Sequence, residues 1–181
     1  PVIKTPELDE MAKAGIQFDR FYASSSVCTP SRATALTGRN NFRLGISTPL
    51  NKGWHLSAKE ITIPEALKAK GYVSGHFGKW HMGGQRDVDD APPITSYGFD
   101  VSLTNFEGMG PKLLPLTLKP GWEKPGKIWQ NAERLGEGYR WMLRSKITEG
   151  FVDEAIPFIR KSVAAKKPFY LNLWPDDVHS P

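Results

Sequence analysis

Ser26-Val27-Cys28-Thr29-Pro30-Ser31-Arg32 holds the single cysteine of a 181-residue chain, with a proline two positions after it and an arginine four positions after it. A thiol is the side chain most readily oxidised, which suits a position that must become something else. Proline is tolerated at a first helical position, where its missing N–H would have no partner, so a helix is expected to start near Pro30. That start puts the residue-28 side chain beside free N–H groups and the positive end of the helix dipole, where an anion is favoured. Arg32 adds a planar fork of donors that matches an oxyanion. Read alone, however, the stretch defaults to a buried structural cysteine at the mouth of a short helix.

A second stretch changes that reading: Gly71-Tyr72-Val73-Ser74-Gly75-His76-Phe77-Gly78-Lys79-Trp80-His81. It follows Thr62–Gly71, a helix capped by threonine and ended by glycine. Residues 72–77 read as a strand, with Lys79 and His81 at its carboxyl end, where open α/β sheets hold their ligands. Two apart on an extended segment, the lysine and the histidine project to the same face. Together they suit a dianionic group and a proton transfer. Trp80 reads as core packing, His76 as structural or supporting, and His55 as a surface histidine.

Working outward, Thr5–Gly15 has the punctuation of a helix: a threonine cap, Pro6, acids in the first turn and a terminal glycine. Leu8, Met11 and Ala12 give it one apolar face. Ile16–Tyr22 alternates as a strand and delivers the chain to the polar loop before Cys28. Residues 33–38 continue the helix begun near Pro30, and 39–53 read as loop. From Met82 to Gly150 the chain is rich in glycine and proline, and regular elements are hard to place. There Asp87, Asp89 and Asp90 read as a solvated turn, because their spacing lacks a Ca²⁺-loop pattern. Trp122, Trp129, Tyr139 and Trp141 fit loop packing better than sugar platforms. Ile147–Ala165 carries an apolar stripe at i, i+4 spacing, with Pro157 expected to kink or break the helix. Phe169–Trp174 is a nearly continuous apolar strand, as in a buried parallel sheet. It runs into Pro175-Asp176-Asp177-Val178-His179-Ser180-Pro181.

Composition sets the bounds. Hydrophobic residues make up 39% and charged residues 24% of the chain, as in globular domains. With one cysteine no internal disulfide can form. No apolar run reaches the length of a membrane span, so no membrane role is expected. The net charge of +5 favours anionic ligands. Lysines and arginines are dispersed, which argues against nucleic acid, whereas a sulfated polyanion fits. No secretory signal is visible, although the chain opens on Pro1-Val2-Ile3 without a methionine.

The Cys28–Arg32 element followed by Gly78-Lys79-Trp80-His81 resembles the paired motifs of the type I sulfatases, in the alkaline phosphatase superfamily. Tyr97-Gly98-Phe99-Asp100 and the strand ending in His179-Ser180-Pro181 resemble further elements of that family, in the same order. The resemblance implies an α/β fold with a mainly parallel central sheet and helices on both faces. It implies that Cys28 is oxidised to formylglycine by a formylglycine-generating or anaerobic sulfatase-maturating enzyme. By the same resemblance Lys79 contacts the sulfate and His81 acts on the formylglycine hydroxyl. His179 protonates the leaving alcohol, Arg32 helps hold the sulfate charge, and Asn105 or Thr104 is a polar sulfate contact. A Ca²⁺ (or Mg²⁺) is implied as well, with residue 28 in its shell. Its other expected ligands, an aspartate pair upstream and an Asp-Asn or Asp-Gln element downstream, find no matching position here.

The chain is therefore expected to be an internal piece of a sulfatase catalytic domain, with the sheet incomplete at both ends and no catalysis on its own. A sulfated carbohydrate or small molecule is the expected substrate, and a periplasmic, secreted or lysosomal setting the expected location. A phosphonate or phosphate ester hydrolase on the same scaffold is the enzymatic alternative. A sulfated-glycan-binding protein with an unmodified Cys28 is the non-catalytic one.

Overall fold

The computed structural model describes residues 3–49, 54–84, 91–105, 107–127, 138–175, 177 and 179. Its strands are β1 (Val73–Gly78), β2 (Val101–Thr104), β3 (Lys112–Thr117), β4 (Gly126–Lys127), β5 (Tyr139–Leu143) and β6 (Phe169–Trp174). They form one six-stranded sheet in the order β4-β3-β2-β1-β6, with β5 against β3. β1 lies between β2 and β6 and is parallel to both. The β2–β3 and β3–β5 pairings are also parallel, and β4 is antiparallel to β3. The helices are α1 (Pro6–Ala14), α2 (Cys28–Thr37), α3 (Ile63–Lys68) and α4 (Ile147–Ala164).

Alternation along β1 and β6 sends side chains to two cores. Phe77, Leu171 and Leu173 face Ile147, Phe151 and Ala155 of α4. Tyr170 and Trp174 face the opposite way, against Ala33 and Leu36 of α2 with Trp80, Met82, Tyr97 and Phe99. Helices thus cover both faces of a mainly parallel sheet, which is the α/β architecture expected. Gly75 keeps α4 close, because a Cβ there would come within 3.3 Å of the Phe158 ring.

Several local expectations need correction. The helix at the cysteine starts at Cys28, two residues ahead of Pro30, and ends at Gly38, whose positive φ of 67° lets its N–H reach the Thr34 carbonyl. α3 is short, yet Thr62 and Glu65 form a full capping box at its start. α4 runs unbroken through Pro157. Its buried residues on the near side of the proline and Phe158 and Ser162 beyond it all seat on the sheet side, so tertiary packing overrides the local cost. Each i, i+4 step turns about 40° round a helix, which is why the expected stripe leaves the core and Val163 is 62% exposed.

At the start of the chain, Thr5 does not cap α1; its hydroxyl bonds the Asp9 carboxylate instead. Gly15 is extended rather than left-handed. No residue of α1 is buried, and Leu8 and Met11 are exposed. Residues 16–22 form no strand among the described residues, and Phe18 and Phe21 are 71% and 83% exposed. Alternation supplies a face but no partner, and a strand exists only when a neighbour completes its ladder. The stretch from Met82 to Gly150, where regular elements are hard to place in the sequence, contains β2, β3, β4 and β5. β6 is the edge strand of the described sheet and is only partly buried, not wholly as its apolar run implied.

Candidate active site

β1 ends where the backbone itself sets the spacing. Gly78 has φ +116°, and a Cβ there would lie 2.0 Å from the Trp174 carbonyl oxygen. Lys79 N–H then donates to that same carbonyl at 2.9 Å. Beyond it Trp80 turns into the core beside His76 and Tyr97, as packing residues do. His81 takes a left-handed φ of 56°, so the segment is not extended there and does not present Lys79 and His81 by simple alternation. Both are instead drawn to the start of α2. Thr29 Oγ1 donates to the His81 carbonyl at 2.8 Å, and Arg32 Nη1 donates to the Lys79 carbonyl at 2.9 Å. The Arg32 guanidinium also lies over the Trp174 ring, 4.9 Å from its centroid. Ser31 ties down the incoming loop by donating to the Ser25 carbonyl and accepting from the Ser25 N–H.

These bonds bring three of the expected residues together. Lys79 Nζ stands 3.6 Å from Cys28 Sγ, and His179 Nε2 stands 4.0 Å from the same sulfur. Cys28 is half-buried at the first turn of α2, while Lys79 is only 4% exposed. His179 is held from behind by Arg144, whose Nη2 donates to its carbonyl at 3.1 Å. Thr148 anchors the same tail through Asp177. An ammonium and an imidazole therefore flank position 28 at a helix N-terminus, an environment suited to an anion.

His81 completes the group electrostatically. Burial first, and then the charges of Lys79, Arg32 and His179, lower its pKa to about 4. Glu107 Oε2 lies 3.4 Å from His81 Nε2. The cations and burial outweigh that carboxylate, so the ring is neutral near pH 7. His76 is a different case. Burial, and next Arg32, hold its pKa at about 3 inside a box of Trp80, Phe99 and Trp174, which fits the structural role expected of it. His55 is half-buried, with Nδ1 against the Leu56 carbonyl.

Asn105 and Thr104 lie buried at the carboxyl end of β2, where Gly78 is in register with Thr104. The Asn105 amide has no hydrogen-bond partner among the described residues, leaving donor and acceptor for a ligand. Glu107 and Lys112, both buried, were not foreseen. Lys112 donates to the Gly108 carbonyl, and burial lowers its pKa to about 8 against the opposing pull of Glu107. A lysine opening an apolar strand and a glutamate in a loop look solvated in sequence; only the fold buries them.

Asp87, Asp89, Asp90, Trp129, Asp176, Ser180 and Pro181 lie outside the described residues. Among the described residues no three His, Cys, Asp or Glu side chains gather. A hard divalent cation needs about six oxygens, so these residues alone do not fit one. Among them, too, no helix is long and apolar enough to cross a membrane.

The Sulfatase family model matches residues 1–181. N-acetylgalactosamine-6-sulfatase of Canis lupus familiaris is 30% identical over 195 residues, covering 100% of this chain and 36% of that protein. Arylsulfatase A of Homo sapiens is 37% identical over 115 residues, covering 61% of this chain and 22% of its own. The crystal structure of Ps i-CgsB in complex with k-i-k-neocarrahexaose shares the fold at a TM-score of 0.71 and 27% identity, covering 98% of this chain and 40% of that one. The chain thus spans a little over a third of the first of these relatives.

Proposed function

The chain belongs to the sulfatase family, and from that premise we propose that it forms part of a hydrolase that removes sulfate from a sulfated carbohydrate. The observation that carries this reading is the meeting of Cys28, Lys79 and His179, three residues far apart in sequence, at the first turn of α2. Position 28 is half-buried and flanked by cationic and imidazole groups, which suits a cysteine matured to formylglycine by a dedicated enzyme. Hydrated, that group would supply a geminal diol: one hydroxyl to attack sulfur as the alcohol leaves, and a second whose deprotonation expels the sulfate and restores the aldehyde.

The chain's own residues then have separable tasks. Lys79 Nζ holds a sulfate oxygen and offsets its charge, with Asn105 as a neutral contact from the next strand. Arg32 fixes the Lys79 backbone with one arm and adds positive field over the sulfate. His179 Nε2 donates a proton to the oxygen of the departing alcohol. His81, neutral before reaction, accepts a proton from the position-28 hydroxyl. A Ca²⁺ or Mg²⁺ goes with the family, but the described residues do not provide its oxygen cage, and no step is derived through it. The carbohydrate assignment draws on relatives named for N-acetylgalactosamine-6-sulfate and on a neighbour solved with a neocarrahexaose. A sulfated carbohydrate as substrate favours a periplasmic, secreted or lysosomal setting.

The test uses full-length protein from its native host. Mass spectrometry of the peptide containing residue 28 should show formylglycine. Aryl sulfate should be turned over in preference to phosphate diester and phosphonate. An intact thiol in active-site position 28, with no turnover, would leave a sulfated-glycan-binding protein instead. Preference for the phosphorus esters would move the enzyme to the alternative hydrolase class.

A further inference from the structure

Glu107 is an acid without a task in the scheme above. It is buried, its carboxylate lies 3.4 Å from His81 Nε2, and the loop that carries it follows directly from β2. Lys112 is equally buried and feels the same carboxylate electrostatically. Lys112 is tethered by the Gly108 carbonyl and by its place in β3, opposite Thr104. Burying an acid and a lysine for packing alone is costly compared with apolar residues of similar volume. The pair is therefore a candidate for orienting a third group.

That group is His81. A neutral imidazole beside a carboxylate must turn its N–H toward it, because two lone pairs would repel. Nε2 is then the protonated nitrogen. Nδ1, buried and without a hydrogen-bond partner among the described residues, keeps its lone pair. The ring stands in the field of Lys79, Arg32 and His179, and two of these, Lys79 and His179, flank Cys28. We propose that Glu107, steadied by Lys112, is a positioning residue that fixes His81 as the Nε2–H tautomer and leaves Nδ1 as the proton acceptor for position 28. The proposal deepens the sulfatase reading and rests on it. At 3.4 Å the contact is longer than an ordinary hydrogen bond, and such bonds tighten when the site is filled.

Two measurements on the full-length protein test it. Neutron diffraction from crystals of the unmutated protein should place a hydrogen on His81 Nε2 and none on Nδ1; the opposite tautomer overturns the proposal whatever the activity. In matured enzyme, Glu107→Gln should lower kcat on an aryl sulfate by about 10- to 100-fold with KM changed less than about threefold. Glu107→Asp should recover part of the loss. Adding Glu107→Gln to His81→Ala should cost no more than about a further twofold, since the two act as a unit. Unchanged kcat, a rise in KM alone, or losses that multiply would each show a merely structural acid. Should Glu107→Gln fail to fold because Lys112 loses its counter-charge, Glu107→Gln with Lys112→Met provides the same reading. An unmutated enzyme that carries formylglycine yet ignores sulfate esters would defeat the sulfatase reading instead, while the tautomer result stands by itself.

Discussion

Thr29 and His81 are joined by a 2.8 Å hydrogen bond from the threonine hydroxyl to the histidine carbonyl. The residue next to the cysteine therefore holds the backbone of the histidine proposed to act on it. Arg32 repeats the arrangement one turn later on the Lys79 carbonyl. α2 thus grips the end of β1 at two points, and the distances around position 28 follow from that grip. Replacing Thr29 by valine keeps the shape and removes the bond, leaving a carbonyl short of a partner. The expected cost is about 1–3 kcal/mol in denaturant unfolding of the full-length protein. A drop in kcat larger than the loss in folded fraction should accompany it.

Lys79 approaches the sulfur from inside the protein, so its ammonium is shielded from water. Charge stabilisation in such a place is strong, and Lys79→Ala should lower kcat/KM for an aryl sulfate by about 10²–10³-fold. Lys79→Arg should not restore it, because the guanidinium fork cannot reproduce a point charge on a flexible stem. Steady-state kinetics with a melting curve as control separates this from unfolding.

His76 should make the protein acid-sensitive. Its folded pKa of about 3 lies below the unfolded value of 6.5, because burial disfavours the charged ring. Between those values the unfolded chain binds more protons, so stability rises with pH and is lost as pH falls from 6.5 toward 3. The effect is on the order of a few kcal/mol. His76→Phe should remain folded at pH 7 and lose less stability than the parent when taken to pH 4. The slope will not vanish, since His81 is shifted in the same direction. Unfolding midpoints across that pH range decide it; parallel curves for the two proteins would show that His76 does not matter.

Pro157 sits in the middle of α4 and lacks the N–H that would bond the carbonyl of Asp153. Pro157→Ala should raise stability by about 1–3 kcal/mol, because the helix around it is already continuous. Thermal unfolding would reveal a destabilised variant if the ring were needed where it is.

The motifs around Cys28 and Lys79 were legible because their function depends on the order of side chains along a few residues. α3 was legible for a similar reason, its capping box being written in Thr62 and Glu65. Interactions that close only across the fold were not. Residues 16–22 alternate correctly and still form no strand, since pairing depends on a neighbour that a local pattern cannot specify. β3 opens on a lysine and contains Pro115, a residue that breaks the usual strand pattern, in a stretch rich in glycine and proline. The tie between Glu107 and His81 joins two loops, and neither residue type nor spacing announces it. His81 was singled out by its motif, but its left-handed backbone, clamped by Thr29, has no signal in the residues around it.

With the Trp174 carbonyl standing where a side chain at position 78 would have to go, mutational drift has no foothold at that point. A library randomised there should return glycine almost alone, whereas exposed Tyr139 should accept many replacements. Natural or laboratory diversification must therefore come from the periphery, while the floor beneath the candidate site stays frozen.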